Sequence, residues 1–240
     1  YTHNEYDDKE AFEKAGAEVE TFVLRTQDAA ITENSLRDLA EKIANSQILV
    51  LTAGDEPDAG GNFIATVLQT DPVRKAVEAL LQKDGLLIGT GSGFNALLKT
   101  GLLPYGTYRT PDETAPTLVT NEVGRYAARM AEVSVVSNAS PWMADFAPGT
   151  RFTLPIATRF GRLIAPKETA EALFANGQIA CVFTEDNPTG SVCGIESLTS
   201  PCGHIIGRIA HAERCADGLL LNAGVPCGQD IFAKAVSYFA

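Results

Sequence analysis

The residues with the clearest chemical pattern lie between Leu86 and Gly101, in the segment LLIGTGSGFNALLKTG. An apolar run ending at Ile88 predicts a buried strand. Gly89, Thr90, Gly91, Ser92 and Gly93 predict a sharp turn, and Phe94, Asn95, Ala96 and Leu97 open a helix. Strand, glycine-rich turn and helix is the layout of a nucleophile elbow, whose middle residue sits at positive φ with its side chain over the helix N-terminus. Here the middle residue is Gly91, which tolerates that backbone but offers no sulfur or oxygen. Two other readings stand beside this one on local sequence. A phosphate-binding turn also uses glycine-rich backbone before a helix, although the segment lacks the Gly-Lys-Ser/Thr ending of a P-loop and does not complete G-x-G-x-x-G. A turn with a purely structural role is the third. His211, taken by itself, reads as a surface histidine at a strand end.

Cysteine is the other residue type that might act here. Cys181, Cys193, Cys202, Cys215 and Cys227 all fall in the last quarter of the chain, and the closest pair has eight residues between its members. Structural zinc sites pair their cysteines two to four residues apart. The spacing therefore predicts reduced, scattered thiols and no metal site.

The elements that must position these residues alternate in the first half of the chain. Ala11, Phe12 and Ala15 fall at helical spacing between Asp7 and Gly16, and Val19 to Leu24 reads as a strand. Ser35 to Ala44 places Leu36, Leu39, Ala40 and Ile43 on one helical face, ahead of the short apolar run Gln47 to Thr52. Asp71-Pro72 opens a helix to about Gln82, followed by the strand Leu86 to Ile88. Helices alternating with buried strands predict an α/β fold: a mostly parallel sheet with helices on both faces. Beyond Gly106 the strands Val133 to Val136, Phe152 to Ile156, Ile179 to Phe183, Ser191 to Ile195 and His204 to Ile209, with a helix from Lys167 to Ala175, predict more of the same sheet and a small antiparallel extension. With no repeat and no low-complexity linker, residues 1–240 read as a single domain. The sequence enters its first helix directly from Tyr1-Thr2-His3-Asn4, without the strand such a fold places first. The expectation is the C-terminal part of a longer chain.

Composition bounds the partners. Nineteen basic against thirty acidic residues give a net charge of −11, which repels phosphate backbones and anionic lipid and argues against nucleic acid and membrane surfaces. No apolar run approaches the roughly eighteen residues of a membrane span. Glu5, Asp7, Asp8 and Glu10 stand where a signal peptide needs a basic flank, so a cytoplasmic protein is expected.

Across nearly its whole length the chain resembles the C-terminal class I, triad-type glutamine amidotransferase domain of phosphoribosylformylglycinamidine synthase. That family's elbow reads G-[IN]-C-N-G-[FC]-Q, and Gly89-Thr90-Gly91-Ser92-Gly93-Phe94-Asn95 matches it in frame. Further matching blocks are Asn4-Glu5-Tyr6-Asp7, Ala11-Phe12-Glu13-Lys14-Ala15-Gly16, Gly54-Asp55-Glu56-Pro57-Asp58, Ser140-Pro141-Trp142, Asn187-Pro188-Thr189-Gly190-Ser191 and Gly207-Arg208-Ile209-Ala210-His211-Ala212-Glu213-Arg214. The resemblance implies a flavodoxin-like sheet. It puts Gly91 at the position of the attacking cysteine, His211 and Glu213 at the H-x-E positions of base and orienting carboxylate, and Asn95, Gly54 and Ser92 at substrate-binding positions. It also implies that ATP and magnesium act in a synthetase portion of the same or a partner chain, with no cofactor here, and that glutamine is the ligand.

The departures bear on chemistry. A triad glutaminase needs a thiolate, an imidazole, a carboxylate and oxyanion donors. The thiolate position is glycine. The family's P-G-G-F-S oxyanion turn is shortened, with Val50-Leu51-Thr52-Ala53 running straight into Gly54-Asp55. Its H-G-E-G-R-F segment appears as Thr158-Arg159-Phe160-Gly161-Arg162-Leu163. Ser92 follows the elbow centre, so its side chain is expected to point away from the cysteine position. The expectation is an amidotransferase-like domain that has lost glutaminase activity and serves a synthetase portion. The alternative is a stand-alone pseudo-amidotransferase that binds a small ligand or partner protein, its pocket filled or recharged by Arg159 and Phe160.

Overall fold

A computed structural model describes residues 2–54, 57–184, 186–215 and 227–240. In chain order the elements are α1 (Glu5–Lys14), α2 (Ala29–Ala44), β1 (Ile48–Leu51), α3 (Pro57–Leu68), α4 (Asp71–Gln82), β2 (Leu86–Thr90), α5 (Ser92–Thr100) and α6 (Leu102–Tyr105). There follow β3 (Thr117–Val119), β4 (Ala127–Val135), β5 (Arg151–Thr158), β6 (Arg162–Ile164), α7 (Lys167–Ala175), β7 (Ile179–Phe183), β8 (Ile195–Thr199), β9 (Ile205–Arg208) and α8 (Ile231–Ser237).

The main sheet runs β1-β2-β9-β8-β7-β4-β5, and β3 with β6 forms a separate antiparallel pair. β1, β2 and β9 are parallel, and from β9 outward the strands alternate in direction. This is the expected α/β sheet with its antiparallel extension. Its two covered faces can be read from neighbouring residues of β9, because successive side chains on a strand point opposite ways. Gly207 lies directly under the Phe94 ring of α5, where any Cβ would clash at 2.1 Å. Arg208 faces the other side, reaching Gln229 just ahead of α8. On that second face Phe12 of α1 packs edge-on against Trp142 and Phe232.

Several elements match their sequence patterns closely: α4, α7 and β7 have the expected limits. Three expectations are corrected. Val19 to Leu24 joins no ladder among the described residues. The segment is tied to α2 instead: the Arg25 amide donates to Ser35 Oγ at 3.0 Å, and Glu20 pairs with Lys42. Ser191 to Ile195 is a 3₁₀ turn over Val192–Gly194, and the strand begins only at Ile195. The Asn187 side chain forces this, accepting from the Gly190 and Ser191 amides and donating to the Ser191 carbonyl, so the backbone there is committed to a turn. Thirdly, the cysteines are not all free: Cys215 and Cys227 form a disulfide, with Cα atoms 5.4 Å apart. They stand twelve positions apart in the chain, and Cys227 bridges to Thr153 of β5. The sequence spacing does not show that.

Candidate functional site

Both turns of interest leave the carboxyl ends of adjacent parallel strands, the edge where open α/β sheets place their ligands. The first follows β2, every residue of which is buried. Gly91 sits at φ +53°, ψ −105°; its amide donates to the Arg208 carbonyl at 3.2 Å and its carbonyl accepts from Asn95 at 3.0 Å. Gly93 presses the first turn of α5 onto the end of β1, so tightly that a Cβ would stand 2.0 Å from the Leu51 carbonyl oxygen. The elbow shape expected from the glycine spacing is thus present in full, and at its centre a Cβ would meet only Ala53, at 3.2 Å. Ala53 is buried in the short turn after β1, where the resembled family carries its oxyanion donors.

The second turn follows β9. Glu196 and Arg208, both fully buried, lie 3.4 Å apart; Arg208 also donates to Gln229 at 3.0 Å, and Glu196 accepts from the Ala210 amide at 2.9 Å. Hydrogen bonds to the remaining polar atoms offset the cost of burying such a pair, and here they are nearly complete: of the pair's atoms only Nη1 of Arg208 lacks a partner among the described residues. The consequence of the pair is local: the backbone just before His211 is clamped, and the His211 amide is held by the Pro155 carbonyl at 2.8 Å.

His211 and Glu213 are brought together. Nδ1 of His211 lies 2.6 Å from Glu213 Oε1, and both side chains are buried. Against such a carboxylate the proton belongs on Nδ1, which leaves Nε2 as the other functional nitrogen. Burial pushes the Glu213 carboxyl up, but the adjacent His211 ring, the hydrogen bond from it and Arg208 beyond outweigh burial and hold it below its ordinary range.

The sequence places Asn4, Asp7 and Arg214 in blocks that match the family but gives them no role behind this pair. Asn4 Nδ2 donates to Glu213 Oε1 at 2.5 Å, and Asn4 Oδ1 accepts from Arg214 Nε at 2.7 Å. Arg214 in turn lies 3.4 Å from Asp7. Asp8 is buried in the same cluster, and burial together with Glu213 and Asp7 pushes its carboxyl well above the usual value. An asparagine just ahead of a helix reads as a cap, and nothing in the sequence links position 4 to position 213.

The remaining expected positions fall around the elbow. Asn95 is buried with its side chain against Gly61 of α3, where a Cβ would lie 2.7 Å from Nδ2. Ser92 is completely buried, and its Oγ has no hydrogen-bond partner among the described residues. Gly54 is half-buried directly after Ala53, while Asp55 and Glu56 of its block lie outside the described residues. In the turn from Thr158 to Gly161, Arg159 is exposed and Phe160 packs partly against the core. Asn121 holds that turn, donating to the Thr158 carbonyl at 2.8 Å and accepting from Gly161 at 2.9 Å. A groove of about 850 Å³ opens elsewhere, between residues 20–25 and α2, and takes no residue from either turn. Among the described residues no group of three or more His, Cys, Asp or Glu side chains is placed to hold a metal ion, and no helix is long and apolar enough to cross a membrane.

Comparison with known proteins agrees with this arrangement. Residues 2–239 match the CobB/CobQ-like glutamine amidotransferase domain family. The chain is 31% identical over 167 residues to the phosphoribosylformylglycinamidine synthase subunit PurQ of Synechococcus elongatus, covering 70% of this chain and 69% of that one. It is 27% identical over 198 residues to the PurQ subunit of a Nostoc species, covering 81% and 82%. In three dimensions it resembles a chain of PurLQS from Thermotoga maritima, with a TM-score of 0.70 at 20% identity over 100% of this chain and 94% of the other. The glutaminase domain of Trypanosoma brucei CTPS follows the same fold at a TM-score of 0.57 and 10% identity, covering 98% and 86%. A sheet with an elbow after one parallel strand and a His-x-Glu pair after the next, joined to a match over residues 2–239, places this chain in the CobB/CobQ-like glutamine amidotransferase family, alongside the PurQ subunits of phosphoribosylformylglycinamidine synthase.

Proposed function

We propose that this chain is the amidotransferase-like component of a phosphoribosylformylglycinamidine synthase, acting in the cytoplasm beside a synthetase portion, and that it releases no ammonia from glutamine. The observation that carries this reading is Gly91: the elbow holds its shape around a residue with no side chain. Covalent glutamine hydrolysis needs a sulfur or oxygen at that point to attack the amide carbon. Ser92 stands one residue past that point, and among the described residues no base lies against its Oγ to activate it. Cys181 is buried on β7, with its thiol pushed up to about 11 by burial, and Cys215 is taken up in the disulfide. The turn carrying Ala53 is also too short for the family's double glycine, and loss of one oxyanion donor costs roughly a hundred- to a thousand-fold in rate.

What survives is the surface and scaffold of a subunit. In that role the synthetase portion, which binds ATP and magnesium, would take free ammonia to amidate formylglycinamide ribonucleotide. The chain itself would contribute docking and the His211–Glu213 pocket, with glutamine as the candidate ligand of that pocket.

The test is a glutaminase assay, with and without the synthetase portion, on this protein, on His211→Ala and on Gly91→Cys, paired with glutamine calorimetry. The expected result is no glutamate above the His211→Ala control and a measurable rate in Gly91→Cys, together with amidation by the assembled enzyme from ammonium alone. Glutamate release by the unaltered protein above that control would overturn the loss of activity. Failure of ammonium-dependent amidation in the presence of a folded synthetase portion would overturn the subunit role.

A further inference from the structure

Asn4 occupies the residue before α1, where an asparagine side chain ordinarily accepts a hydrogen bond from an amide of the first turn. Its side chain makes no such bond. Both ends of the amide are committed elsewhere, across 209 and 210 residues of sequence, to Glu213 and Arg214. A helix that forgoes its cap is less stable at that end, and the side chain's other bonds offset the loss.

Those bonds form a chain with one direction. The Asp7 carboxylate attracts Arg214, Arg214 Nε donates to Asn4 Oδ1, Asn4 Nδ2 donates to Glu213 Oε1, and Glu213 Oε1 also accepts from His211 Nδ1. Arg214 can only donate, which fixes the orientation of the Asn4 amide; the amide nitrogen can only donate, which fixes Oε1 as an acceptor. Every member but Arg214 and Asp7 is buried. In such surroundings a misdirected donor or acceptor is costly, so the order of the chain is enforced.

We propose that Asn4 is a positioning residue for His211: held by Arg214, its amide anchors the Glu213 carboxylate so that the imidazole keeps its proton on Nδ1 and presents Nε2 as the acceptor. The inference concerns the same pocket as the proposed function, but it needs neither glutamine binding nor turnover. Glutaminase activity in the unaltered protein would overturn that reading and leave this one standing.

The simpler alternative is that Asn4 merely fastens α1 to the turn at Ala212–Arg214. The two separate on the tautomer of His211, which nitrogen-15 spectra of the imidazole report directly; with only His3, His204 and His211 in the chain, assignment is tractable. Of the two neutral tautomers, Nδ1–H is expected to outweigh Nε2–H at His211 in the unaltered protein. Asn4→Ala should raise the Nε2–H population severalfold, and Arg214→Gln, at the more exposed rim, should move it less in the same direction. An unchanged tautomer ratio in Asn4→Ala, with only a lowered Tm, overturns the proposal. Should Asn4→Ala fail to fold, an unchanged ratio in Arg214→Gln overturns it as well.

Discussion

The turns after β2 and β9 stand side by side and are held in different ways. After β2 the turn is built of backbone: Gly91 at positive φ and Gly93 pressed on Leu51 surround a position that carries no side chain. After β9 the turn carries chemical side chains, His211 against Glu213; Asn4, just ahead of α1, donates to the Glu213 carboxylate, and Glu196 of β8 holds the Ala210 amide beside them. The elbow is maintained by close packing of glycine backbone on neighbouring strands, which is indifferent to what the central residue carries. The pair is maintained by hydrogen bonds, which depend on each atom's identity. Backbone shape and side-chain chemistry at this edge of the sheet are therefore separable, and each can be broken alone.

The sharpest separation comes within the elbow. Gly93→Ala puts a methyl group 2.0 Å from a backbone oxygen that cannot rotate away, so α5 must lift off β1. We expect a loss of roughly 4 kcal/mol or more in chemical denaturation, above the ordinary cost of overpacking because the atom in the way is backbone. Gly91→Cys, two residues earlier, should cost only about 1–3 kcal/mol, the usual toll of positive φ on a side-chain-bearing residue, since Ala53 at 3.2 Å has merely to give by a few tenths of an ångström. Equal losses at the two positions would mean that the elbow is not held by the contact with β1.

The turn after β9 has a different fastening. The Cys215–Cys227 disulfide begins two residues past Glu213 and ends on the strand-like bridge to Thr153. Replacing both cysteines by serine should lower stability by about 2–4 kcal/mol through the released chain entropy. Amide exchange should rise across residues 211–215 and stay unchanged across 89–95. Uniform acceleration of both segments would show that the two turns are one cooperative unit.

How much of this was legible beforehand follows from the same distinction. Local patterns were readable: the apolar spacing of α4 and the run in β7 gave limits that the fold keeps, and the glycines at 89, 91 and 93 announced the elbow. Helix α3 was overlooked, because Gly60 and Gly61 lower its intrinsic propensity and only the close approach to Asn95 explains Gly61. Val19 to Leu24 had strand-like residues but no neighbouring edge to pair with among the described residues, and β propensity is expressed only in a ladder. The contacts of Asn4, Arg214 and Asp8, and the disulfide, cannot be read from the sequence for a common reason. Each acts through a contact fixed by the tertiary fold, and none leaves a spacing that a single sequence displays.

The smallest expected effect separates the two carboxyl groups of the pocket by sign. Asp8 is buried, and its Oδ2 has no hydrogen-bond partner among the described residues. Its carboxyl is raised by burial first and by Glu213 and Asp7 next, so between the unfolded and folded pKa values the native state binds the extra proton, and stability falls as pH rises through that window. Asp8→Asn should therefore raise Tm near neutral pH by a few degrees, and the advantage should fade as the pH drops toward the unfolded carboxyl value of about 3.9. Glu213 is shifted downward, so its contribution runs the other way: it is present above the unfolded value and lost as pH falls through the folded one. Glu213→Gln should accordingly destabilise the protein near neutral pH and approach the parent in acid. Thermal melts of the three proteins from pH 2 to 8 check both slopes, that of Asp8 above its unfolded value and that of Glu213 below the unfolded glutamate value of about 4.3. A pH-independent difference at either position would assign its effect to packing and remove charge from the account of this pocket.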